Sequence, residues 1–260
     1  MKKKLWSNLS CEEIACTNFQ YILAILFCFV YVVGQAQNLK PEATEVWEPI
    51  PPIVNPGEES KAIPPSDAII LFNGKNTDAF SSWDGKEVGW KVEGGALKIV
   101  KGSGDIMTKD SFGDCQLHIE FMTSNTGKKG QLNGNSGVFL QGRYEVQILN
   151  SYEQQTYVNG QAGSIYKQYP PLVNASKAPG EWQVYDIIFT APKWNENGSR
   201  KSPGYITVLH NGILIQNHVE IQGTTEYIGP PKNIAHGDGP LKLQDHGDPN
   251  WYRNIWIRRL

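Results

Sequence analysis

Two short segments carry the residues best suited to chemistry. The first runs Gly134-Asn135-Ser136-Gly137-Val138-Phe139-Leu140-Gln141-Gly142-Arg143-Tyr144-Glu145-Val146-Gln147-Ile148-Leu149-Asn150. Its second half alternates: in an extended strand Tyr144, Val146 and Ile148 face one way, and Glu145 and Gln147 the other. A carboxylate beside an amide marks either a solvent-facing side or the floor of a polar groove. Arg143, and Gly142 permitting close backbone approach, favour the groove. The second segment is Leu241-Lys242-Leu243-Gln244-Asp245-His246-Gly247. Leu241 and Leu243 point to a core, which leaves Lys242, Gln244 and, if the strand continues, His246 on the groove side. Histidine gains and loses a proton near neutral pH, as general acid–base chemistry requires. A lone histidine beside a glycine also serves as a plain turn residue. Asp245 cannot orient His246 within a strand, because neighbours point to opposite faces, but a turn beginning there would lift that objection.

Other chemistries lack their residues. His236-Gly237-Asp238 and His246-Gly247-Asp248 repeat a trio, yet without a third ligand cluster or nearby cysteines they read as turns and not as a metal site. No G-x-S-x-G, Walker or dinucleotide motif occurs. A formal net charge of −2 leaves no electrostatic footprint for nucleic acid or an anionic membrane surface.

The elements that would hold these segments have a period of two. Cys115, Leu117, Ile119 and Phe121 alternate with Gln116, His118 and Glu120, the pattern of a half-buried strand. The same reading gives strands near 68–72, 90–93, 96–100, 136–141, 144–149, 182–190, 205–210, 213–220, 240–244 and 252–258. Asn211-Gly212 and Gly94-Gly95 are pairs that favour tight hairpins. No helical stripe follows Asp67, and no internal repeat supports a propeller. The expectation is an all-β, two-sheet jelly-roll sandwich spanning 66–260. Ahead of it, Pro41, Pro49, Pro51, Pro52, Pro56, Pro64 and Pro65 mark 37–65 as a linker.

Residues 1–36 read as an export signal. Lys2, Lys3 and Lys4 precede an uncharged apolar run from Tyr21 to Val33, and Gly34-Gln35-Ala36 offers a cleavage site. The expected location is periplasmic or secreted, with no membrane insertion after cleavage. The polar stretch containing Glu12 and Glu13 is longer than usual, which leaves a later start or an uncleaved anchor open. Cys11, Cys16 and Cys28 lie in that segment and only Cys115 follows it, so no disulfide framework is available.

Several of these motifs together resemble the 3-keto-disaccharide hydrolase family, once catalogued as a domain of unknown function. They are Leu71-Phe72-Asn73-Gly74-Lys75, Asn135-Ser136-Gly137-Val138-Phe139 through Gln147, Trp182-Gln183-Val184-Tyr185, Leu243-Gln244-Asp245-His246-Gly247 and Arg253-Asn254-Ile255-Trp256. The resemblance implies a concanavalin A-like fold with sugar on its concave face, and cleavage of glycosides already oxidised at C3. The ketone acidifies the C2 proton, so a base can remove it and the C1 substituent can leave; water added to the resulting enone gives 3-keto-glucose. On this sequence that implies His246 as base, with Glu145 orienting it or acting as its acid partner, although the two roles could be exchanged. Arg143, Arg253, Gln147 and Gln244 would donate to the enolate or to hydroxyls, and Asn135 and Lys242 would contact sugar. Trp182 and Trp256 would supply an aromatic platform. The chemistry calls for no cofactor; lectin-like folds admit a structural calcium, which no Asp-rich loop here demands.

Two other readings share the fold. Laminarinase-like glycosidases place E-x-D-x-x-E on the concave strand, where this chain has Glu145-x-Gln147-x-x-Asn150. Two of three carboxylates are therefore amides, and a two-carboxylate mechanism lacks its second member. A sugar-binding module without turnover would suit the same polar groove.

Overall fold

The computed structural model describes residues 39–54 and 63–260, so the expected export signal lies outside the described residues. Fifteen strands follow in chain order: β1 (Ile69–Phe72), β2 (Phe80–Ser82), β3 (Lys91–Glu93), β4 (Ala96–Lys98), β5 (Ile106–Phe112), β6 (Cys115–Met122), β7 (Ser136–Leu140), β8 (Tyr144–Ile148), β9 (Trp182–Thr190), β10 (Lys193–Trp194), β11 (Arg200–Ser202), β12 (Gly204–His210), β13 (Ile213–Ile221), β14 (Gly239–Leu243) and β15 (Trp251–Arg259). Eight form one antiparallel sheet in the order β13-β12-β9-β6-β15-β4-β3, with β1 also paired to β15. Five form a second sheet, β2-β5-β14-β7-β8, and β10-β11 make a small ribbon. The molecule is all-β and built as the expected jelly-roll sandwich. Among the described residues no helix is long and apolar enough to cross a membrane.

Alternation decides which residues meet between the sheets. Leu117, Ile119 and Phe121 of β6, with Tyr185, Ile187 and Phe189 of β9, pack against Val138, Val146, Ile148, Leu241 and Leu243 of the smaller sheet. Each such burial contributes about 1.5–3 kcal/mol, which lets the core hold without cross-links. Cys115 lies in that core, where burial pushes its thiol up to about 12, so it is no nucleophile. At the β12–β13 hairpin Asn211 and Gly212 both have positive φ, 52° and 79°, as the Asn-Gly turn requires.

The stretch expected to be a linker is in part a packed element. Residues 41–54 form a strap on the sandwich, beginning with a short 3-10 helix, Pro41–Thr44. The Val46 N–H donates to Asn159 Oδ1 at 2.9 Å, and the Val46 carbonyl accepts from the Val158 N–H at 2.6 Å. Further on, the Pro52 carbonyl accepts from Asn174 N–H at 2.8 Å and the Val54 N–H donates to the Asn174 carbonyl at 3.0 Å. The prolines exclude regular ladders but not side-chain and single-bond anchoring.

Candidate active site

The cavity that gathers the polar side chains lies on the open face of the five-stranded sheet and encloses about 440 Å³. Its floor is β8, an edge strand fixed on both sides. One side pairs with β7. The other is sealed by the chain around Ser164, where Gln147 N–H donates to the Ser164 carbonyl at 3.0 Å and Tyr166 N–H donates to the Glu145 carbonyl at 3.2 Å. Because side chains alternate, this rigid strand sends Val146 and Ile148 into the core and Glu145 and Gln147 into the cavity.

Glu145 is the chemically distinctive group. It is 5% exposed, and burial raises its carboxyl to about 8. The positive charge of Lys242 works the other way and is outweighed. At neutral pH Glu145 is therefore mainly protonated, able to give a proton to a departing oxygen. Gly137, on β7, makes room for it: a Cβ there would press on Glu145 Oε1 and meet Phe139 at 2.7 Å. With its amide turned so that the NH2 faces Glu145, Gln147 donates to Oε1 at 2.8 Å and to the Ser136 carbonyl at 3.2 Å.

β14 brings in the second motif. Gln244 and His246 line the cavity, and His246 is exposed. Asp245 does not orient His246; its two oxygens accept from the N–H groups of Gly104 (3.0 Å) and Gly247 (2.9 Å), which fixes the turn carrying the histidine. Lys242 does not line the cavity but stands behind it, its Nζ 3.9 Å above the Phe139 ring and 3.1 Å from Asp105. Asn135 is buried at the far end, its Nδ2 donating to the Gln131 carbonyl at 2.8 Å.

The structure thus brings together Glu145, His246, Gln147, Gln244 and Asn135, and leaves two arginines out. Arg143 sits where the chain turns between β7 and β8, and its side chain does not line the cavity. Arg253 belongs to the other sheet: its Nε donates to Glu120 at 2.5 Å and its guanidinium stacks 4.1 Å over Trp182. The expected tryptophan platform fails for the same reason. Trp256 is buried against His118, with ring centroids 4.9 Å apart, on the outer face of the eight-stranded sheet. The aromatic wall of the cavity consists instead of Tyr157, Tyr166, Tyr227 and Phe139. Pro41, Glu42 and Glu45 of the strap complete it. No sequence signal pointed to the three tyrosines or to the strap residues, because their segments have no period and meet only in the fold. Among the described residues no group of three His, Cys, Asp or Glu side chains is placed to hold a metal ion.

Comparison with known proteins identifies a family and a fold. Residues 67–258 match the model of the 3-keto-alpha-glucoside-1,2-lyase-like domain. A candidate glycosyl hydrolase from Parabacteroides distasonis is 49% identical, with a TM-score of 0.76 over 86% of this chain and 98% of that one. A second protein so described from the same organism shares the fold at 21% identity, with a TM-score of 0.55 over 75% and 94% of the two chains. No curated protein matches the chain.

Proposed function

The chain belongs to the family of 3-keto-alpha-glucoside-1,2-lyase-like domains, a carbohydrate-active and glycosyl hydrolase-like group, and from that footing we propose that it cleaves 3-keto-glucosides by elimination. His246 takes the proton from C2, and the electrons form an enolate that the Gln244 amide receives as hydrogen-bond donor, while Gln147 holds the Glu145 carboxyl in place. The enolate collapses, the C1–O bond breaks, and Glu145 protonates the departing oxygen. The enone either leaves or takes up water, OH at C1 and H at C2, to give 3-keto-glucose. The observation that carries this reading is the buried carboxyl of Glu145, raised by burial toward its protonated form and facing the same cavity as His246. Its test is incubation with a 3-keto-glucoside, following enone absorbance and released alcohol; release without prior oxidation of the sugar contradicts it. With residues 1–36 acting as an export signal, the reaction takes place outside the cytoplasm.

One observation favours a second reading. Glu42 and Glu45 place carboxylates in the cavity that the Glu145-x-Gln147-x-x-Asn150 spacing lacks, so a two-carboxylate hydrolysis of ordinary glycosides has candidate partners for Glu145. Clear hydrolysis of laminarin or of an unoxidised glucoside would select it.

A further inference from the structure

The strap lies upstream of the residues that match the family model, yet it supplies one wall of the cavity. Its first turn is a 3-10 helix, in which residues three apart share a face. The bond from Glu45 N–H to the Glu42 carbonyl, 3.2 Å, continues that turn, so Glu42 and Glu45 come to line the cavity together. The turn is held from outside. Lys167 Nζ, among the rings of Tyr157, Tyr166 and Tyr227, donates to the Pro41 carbonyl at 2.7 Å, and Asn159 Nδ2 donates to the Thr44 carbonyl at 2.9 Å. The ammonium is thereby engaged with backbone, and among the described residues that line the cavity there is no Lys or Arg. With Glu145 giving its proton to the departing oxygen, the leaving group shares the cavity with these carboxylates and tyrosine rings.

We propose that the strap forms the leaving-group subsite, and that Glu42 and Glu45 select glucosides whose aglycone is neutral or carries an amine over those whose aglycone carries a carboxylate or phosphate. This rests on the elimination reading for the reaction, but the charge selection follows from the wall alone. Rings of tyrosine pack on apolar sugar or aryl faces, carboxylates accept from hydroxyls or ammonium, and an anion in the same space meets two carboxylates whose charge the single Lys167 ammonium offsets only in part. The repulsion acts across a partly open cavity, so it should weaken as salt screens it.

The test compares aryl 3-keto-glucosides that differ only in bearing a hydroxymethyl, an aminomethyl or a carboxylate group, with binding of their unoxidised counterparts measured by calorimetry. The wild type should favour the aminomethyl over the carboxylate compound by about 10- to 100-fold in kcat/KM at low salt. In the E42Q/E45Q double variant that spread should shrink to about threefold or less, and added salt should shrink it in the wild type. An unchanged spread in the variant overturns the proposal. So does a loss of about 10³-fold for all three compounds alike, which would make a strap carboxylate part of the chemistry. If no 3-keto compound is turned over but the binding spread of the unoxidised series still collapses in the variant, the elimination reading fails and the subsite stands.

Discussion

The carboxyl of Glu145 lies across the backbone of Gly137, on the neighbouring strand, in space that any side chain at 137 would fill. Gly137 does not serve a positive φ; its role is the missing Cβ. The acid of the site is therefore seated by a residue that touches no substrate.

Gly137→Ala should separate activity from stability. The added methyl overpacks a rigid strand pair, at a cost of about 1–3 kcal/mol. Displacing the carboxyl by about 1 Å should lower kcat by about 10²-fold, far beyond what partial unfolding at 25 °C explains. Thermal melts and initial rates on the same preparation decide it, and full activity in a folded variant would deny Glu145 its role.

Glu145→Gln should lose activity and gain stability above neutrality. The folded-state pKa of about 8 lies above the ordinary value of 4.5, so between these limits the folded protein holds a proton that the unfolded chain has released. Wild-type stability then falls as pH rises through that window, by about 1.4 kcal/mol per unit relative to the glutamine variant. Denaturant melts from pH 5 to pH 8 should show the gap growing. In the rate profile, the wild-type activity that depends on protonated Glu145 should decline above about pH 8, and that limb should be missing in the variant's residual rate.

On the outer face of the eight-stranded sheet a charged group is the one favoured, and stability again falls as pH rises. Burial opposes charging His118, but its Nδ1 meets Asp186 at 2.6 Å and its Nε2 faces Glu120, and these carboxylates raise it to about 9. That stabilisation is complete below about pH 6.5 and is lost as pH rises through about 9. Asp186→Asn should cost about 1–2 kcal/mol at pH 6, Asp186 being partly exposed, and much less at pH 9.5. Arg253→Ala should likewise destabilise while leaving kcat/KM within about twofold. A large activity loss in Arg253→Ala would return that residue to the site.

Alternation made the sandwich legible: β9 and β12 bury every second residue, as their sequences show, whereas β6, expected to be half-buried, also buries His118 and Glu120 on its outer face. β5 was hidden because Lys109, Asp110 and Ser111 break its period. β2, β10 and β11 are too short to have one. For the cavity, parity on β8 and β14 placed Glu145, Gln147 and Gln244 on one side. Parity could not say which sheet a motif joins, and so Arg253, in as motif-rich a segment, was grouped with the wrong face. Nor could it show that a proline-rich stretch would be anchored by Asn159, Asn174 and Lys167, residues more than a hundred positions away.

The central claim is that the bond breaks through loss of the C2 proton, and the isotope at that carbon tests it. A 3-keto-glucoside deuterated at C2 would be incubated with the wild type, His246→Ala and Glu145→Gln, with label and released alcohol followed by NMR. The wild type should pass the deuterium to water as the alcohol appears. His246→Ala should slow both processes by about 10²–10⁴-fold. Glu145→Gln should still exchange the label while releasing alcohol far more slowly. If the alcohol is released and the deuterium stays at C2 of the sugar product, the elimination is wrong.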